Sequence, residues 1–68
     1  MPTIANVNLA NLLRTANDVA VQSWRIGIIA DMIATGDFAG ASSAASVLSP
    51  RERGVIPEPV WQRISPQS

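Results

Sequence analysis

The chain has 68 residues, with five basic side chains balanced by five acidic ones, and contains neither Cys nor His. All five basic residues are Arg, and Tyr is also missing. These counts exclude disulfides and thiolate or imidazole metal sites, and they remove the residue types that supply most general bases and nucleophiles. The zero net charge argues against the basic stripe of a nucleic-acid binder, and a domain this small gains only a marginal core unless something reinforces it.

Taken from the N-terminus, Leu9, Leu12, Leu13, Ala16, Val19, Ala20 and Trp24 fall on one stripe at helical spacing, with Arg14, Asp18, Gln22 and Arg25 opposite. This pattern predicts an amphipathic helix starting near residue 8, with Asn8 as its N-cap and Asn6 as the alternative. No basic flank precedes an apolar run, so a secretory signal is not expected.

Past Trp24 the pattern changes. Ile26, Ile28, Ile29, Met32 and Ile33 spread around most of the helix surface, and a helix apolar nearly all round needs partners on more than one side. Gly27 lies inside this stretch and costs about 1 kcal/mol relative to Ala in a helix interior. Two readings follow: another backbone approaches along Ser23, Gly27, Ala30 and Ala34, or the helix bends or breaks near Gly27. The window from Ile26 to Leu48 is long enough to span a bilayer, but Asp31 and Asp37 inside it argue against insertion.

Gly36 supplies a helix stop and Asp37 an N-cap, predicting a second helix over 37–48 with Phe38, Ala41, Ala45 and Leu48 on one face. The short connection implies an antiparallel hairpin. Gly36-Asp37-Phe38-Ala39-Gly40-Ala41 resembles the inter-helix turn of tetratricopeptide repeats. The resemblance covers about a third of the chain in a single copy, where such repeats need about three, and it implies the hairpin geometry but no function.

Ser49-Pro50-Arg51-Glu52 has the form of a capping box with Pro at the first helical position. Gly54 ends that turn, Val55-Ile56-Pro57-Glu58-Pro59 reads as extended, and Pro59 opens a short terminal helix carrying Val60, Trp61 and Ile64. Trp61 either folds back on the hairpin or docks into a partner, whereas Trp24, at the end of the amphipathic stripe, is expected in the core. The tail, residues 65–68, is expected to be mobile.

Chemistry has little to work with. Asp31 and Asp37 lack the oxygen-rich loop of a hard-cation site, Ser49 has no base to activate it, and the glycines do not form a phosphate loop. No enzyme activity, cofactor or metal is expected.

The expectation is therefore an all-α chain forming one unit: helix 1 over 8–35, helix 2 over 37–48, and a Pro-containing C-terminal arm over 49–68. The expected function is that of a non-enzymatic structural or assembly subunit. It would self-associate or pack on a larger protein complex through Ile26, Ile28, Ile29, Met32 and Ile33, with Trp61 and Ile64 as a second contact. A phage virion or assembly component fits such a chain, as does a bacterial accessory subunit, with a cytoplasmic or assembly-bound location and no membrane contact. The alternative is a small regulatory binding module, an antitoxin or nucleic-acid-linked adaptor, using Arg51, Arg53 and Arg63.

Overall fold

A computed structural model describes residues 3–64. Five helices follow one another, α1 (Ile4–Ala20), α2 (Trp24–Ala34), α3 (Phe38–Ala45), α4 (Pro50–Arg53) and α5 (Glu58–Ile64), with no strand among the described residues. The fold is all-α, a long N-terminal helix followed by shorter ones, and the expected mobility of residues 65–68 concerns a segment outside the described residues.

Helix α1 starts five residues earlier than the Asn8 cap would place it. The Thr3 hydroxyl accepts from the Asn6 backbone N–H at 3.1 Å, and nothing in Ile4-Ala5-Asn6-Val7 breaks a helix, so Asn6 and Asn8 lie inside it. Its buried face is Ala10, Leu13 and Asn17, with Leu9 packed at the margin. The expected stripe is thus rotated, leaving Leu12 and Val19 exposed.

The break in the long helix falls at residues 21–23, and Gly27 sits within α2. Gln22 adopts a left-handed φ of 51°, unusual for a residue with a Cβ. What compensates is Asn17, whose backbone carbonyl accepts from Val21 and Gln22 N–H at 3.0 and 2.7 Å. Its carboxamide also accepts from Ser23 N–H at 2.7 Å and donates to Ser23 C=O at 2.9 Å. One buried side chain thereby satisfies the donors and acceptors that the corner would strand. At Gly27 a Cβ would meet nothing within 4 Å, so no backbone approaches closely there, and α2 runs through it unbroken.

Because the chain turns at residues 21–23, α2 lies back along α1, the most extensive packing between elements. Ile26, Ile29, Ala30 and Ile33 recur at helical spacing and are fully buried. The next corner is a Schellman turn. Gly36 takes φ 86°, its N–H bonds to Ile33 C=O at 3.0 Å, and Asp37 N–H bonds to Met32 C=O at 2.8 Å. Asp37 then caps α3 by accepting from Gly40 N–H at 2.9 Å, and α2 and α3 pack as the expected hairpin.

Helix α3 contributes only Ala41 and Ala45 to the core, so its small residues permit close packing while adding little apolar area. The rest comes from the C-terminal segment, where Leu48, Ile56, Val60 and Ile64 are buried as α5 lies across α3 and α1. The capping box forms as the sequence implies: Glu52 N–H donates to Ser49 Oγ at 3.3 Å, and Ser49 N–H donates to Glu52 Oε1 at 3.1 Å. Helix α5 begins at Glu58, with Pro57 C=O accepting from Val60 and Trp61 N–H. The accessible surface is 4169 Å², close to the roughly 4,100 Å² of an ordinary folded monomer of this mass.

Candidate interaction surface

The seven side chains expected at an interface separate into three groups. Ile26, Ile29 and Ile33 are fully buried and Ile64 nearly so; they form the chain's own core and present no surface to a partner. The correction has a simple cause. The corner at residues 21–23 folds α1 onto one side of α2 while α3 covers another, so two of the partners that the all-round apolar helix requires are supplied internally.

Met32 and Trp61 are half-buried and pack against that core, so Trp61 folds back on the hairpin. Ile28 alone of the seven is exposed. Trp24, expected inside, is 70% exposed, because it opens α2 beyond the corner instead of ending α1.

Trp24, Arg25 and Ile28 on α2 and Ala44 and Val47 at the end of α3 line one open, mostly apolar groove. Helical spacing sets Trp24 and Ile28 one turn apart on the face of α2 opposite Ile26, Ile29 and Ile33. Val47, which follows the last turn of α3, is as exposed as Trp24 and forms the facing wall. Sequence reasoning missed Val47 because it falls outside the Phe38, Ala41, Ala45 and Leu48 face. It missed Trp24 because the corner carries no Gly or Pro; its signal is Asn17, a carboxamide on an otherwise apolar stripe.

Arg25 forms the charged rim of the groove. Its guanidinium lies 5.5 Å from the Trp24 ring centroid and 3.7 Å from Glu52 Oε1. Glu52 also accepts from the Ser23 hydroxyl and the Ser49 backbone N–H. These contacts hold its carboxyl below the usual carboxylate range, the Ser23 hydrogen bond contributing most, the Ser49 bonds next and the Arg25 charge least. Glu52 thus ties α4 to the start of α2.

The remaining guanidinium groups are dispersed. Arg14 pairs with Asp31 at the surface, Arg53 donates to Ser46 C=O at 3.0 Å, and Arg63 stacks 4.6 Å from the Phe38 ring centroid. Among the described residues no three Asp or Glu side chains gather as a metal site would need, and no buried side-chain polar atom lacks a partner. No described helix is long and apolar enough to cross a membrane. Comparison of the chain with protein-family models, with curated proteins and with solved structures finds no match.

Proposed function

We propose that this chain is a non-enzymatic structural or assembly subunit that works by docking protein against its exposed apolar surface, within a larger particle or complex. The observation that carries this reading is the groove of Trp24, Ile28 and Val47, open to solvent on a chain whose core is already complete. Trp and Arg, here with the Arg25 guanidinium 5.5 Å from the Trp24 ring centroid, are the side-chain types that contribute most when buried at a protein interface. Zero net charge leaves copies of the chain without long-range repulsion, so self-association is the first case to consider. The regulatory alternative has less behind it, since Arg53 and Arg63 already serve a helix end and an aromatic ring, which leaves Arg51 as the member of its cluster without a partner among the described residues.

The test is the solution mass of the purified chain across a wide concentration range, with helicity recorded in parallel. Concentration-dependent association that Trp24→Ser abolishes, with helicity unchanged, is the expected result. A helical monomer at every concentration overturns the self-assembly reading.

A further inference from the structure

We infer that the corner at residues 21–23 is a hinge through which two copies of this chain exchange α1. The corner straightens, α1 and α2 become one helix, and each α1 packs on the α2 of the other copy. This goes beyond the groove, which takes no part in the exchange.

The two corners that flank α2 are built differently. The one after it has Gly36 at φ 86° and a side-chain cap from Asp37. The one before it has neither device. Gln22 occupies its left-handed position, and the Ser23 hydroxyl, although at the N-cap of α2, donates to Glu52 and caps no backbone N–H. From Thr3 to Ile26 the sequence contains no Gly or Pro, so nothing in it forbids a continuous helix. Straightening relieves Gln22. It also offers the carbonyls of Ala20, Val21 and Gln22 to the Trp24, Arg25 and Ile26 N–H groups, which as the first turn of α2 have no intrahelical acceptor. What it loses is the Asn17–Ser23 ring and the Ser23–Glu52 bond. A short, strained connection between packed helices is the setting in which elements exchange between copies.

The register of the packing fits the exchange. Arg14 on α1 pairs with Asp31 on α2; the first lies eight residues before Gln22 and the second eight residues after Ser23. Two straightened helices set antiparallel about a two-fold axis at the Gln22–Ser23 bond therefore place each Arg14 opposite the other copy's Asp31. The contact between copies is then the one already made within a single chain, which fixes the occupant as a second copy. The rest of the fold does not depend on which copy supplies α1. Ten of the twelve buried apolar residues belong to α2 and the segments after it, and α1 supplies only Ala10 and Leu13. Those two must leave the core before folded monomers exchange, so the dimer forms while concentrated chains fold and persists on dilution.

The chain has no Cys, so Arg14→Cys with Asp31→Cys introduces two thiols and no others, at a surface pair that spans α1 and α2. In a Trp24→Ser background, which removes the groove as a cause of association, the reduced chain is refolded at high and at low concentration. Each sample is then diluted, treated at once with a short bismaleimide and run on a denaturing gel, with circular dichroism to check helicity. Exchange predicts a dimer linked between chains after concentrated refolding and a monomer linked within the chain after dilute refolding. Gln22→Gly, which suits the left-handed corner and disfavours the straight helix, should lower the dimer yield about ten-fold or more, and Gln22→Ala should raise it. A monomer at both concentrations, a dimer linked only within chains, or a yield indifferent to Gln22→Gly overturns the exchange. Each of these leaves the groove reading to its own test, because the groove is absent from this background. Should the Cys pair unfold the chain, the refolded mass of Trp24→Ser with Gln22→Gly and with Gln22→Ala decides instead, and equal dimer yields overturn the exchange.

Discussion

The carboxamide of Asn17 closes a two-bond ring with the backbone of Ser23, accepting from its N–H and donating to its C=O, at the corner where α1 becomes α2. Asn17 is only 6% exposed, so neither bond can be replaced cheaply by water. Asn17→Ala strands both Ser23 groups and is expected to destabilise the chain by about 2 to 4 kcal/mol, at one to two kcal/mol for each unsatisfied group. Asn17→Asp keeps the acceptor, loses the donor and sets a carboxylate near the Ser23 carbonyl, so it should fare no better. Urea denaturation measures both. A loss below about 0.5 kcal/mol, the size of an ordinary surface substitution, would show that the corner holds without the ring.

Gly27 carries the opposite expectation. It lies in the interior of α2 with open space where a Cβ would go and no positive φ to require glycine. Gly27→Ala is therefore expected to stabilise the isolated chain by about 0.5 to 1 kcal/mol, through helix propensity and a less flexible unfolded state. The denaturation midpoint should rise with the slope unchanged, and a fall in the midpoint would reveal a constraint at this position.

These two residues also show what could be read from the sequence. The Gly36-Asp37 corner and the Ser49-Glu52 box are local signals, each carried by residues within one or two turns, and each appears where the pattern indicates. The corner at residues 21–23 depends on a side chain reaching six residues along the chain, in a stretch whose composition is that of a continuing helix. A break assigned near Gly27 follows propensity, and tertiary hydrogen bonding outweighs propensity at Gln22. The misplacement of Ile26, Ile29, Ile33 and Trp24 descends from that one displacement. An unbroken helix leaves Ile26, Ile29 and Ile33 in search of outside partners and carries Trp24 into the core. A folded corner supplies the partners and turns Trp24 out to solvent.

Glu52 gives the chain a pH dependence whose sign is determined by its contacts. Its folded carboxyl titrates below the ordinary value, first because the Ser23 hydroxyl donates to it, so the unfolded chain binds more protons between the two values. The stabilisation is fully present above the unfolded carboxyl value of about 4.3 and is lost as pH falls through the folded one. Stability attributable to Glu52 should therefore be flat from neutral pH to about 5 and decline below that. Glu52→Gln removes this component, so the gap between wild type and variant should narrow between pH 7 and pH 3. Two denaturation curves that stay parallel over that range would count against Glu52 as the link between α4 and α2.

Adjacent residues on α2 provide the sharpest separation of fold from surface. Ile29 is fully buried beside Leu13 and Ile33, whereas Ile28 is 42% exposed and lines the groove. A chain of this length has a total stability of roughly 3 to 10 kcal/mol. Ile29→Ala alone should cost about 2 to 5 kcal/mol, and Ile29→Asp, which leaves a carboxylate unpaired in an apolar core, should unfold the chain. Ile28→Ser removes only partly exposed area and should leave the helical signal within about 1 kcal/mol of wild type while weakening association. Thermal melts by circular dichroism and solution mass, recorded on the same three variants, distinguish the two effects. A folded Ile29→Asp would contradict the assignment of that side chain to the core. A folded Ile28→Ser whose association is unchanged would mean that Ile28 is exposed without being part of the contact.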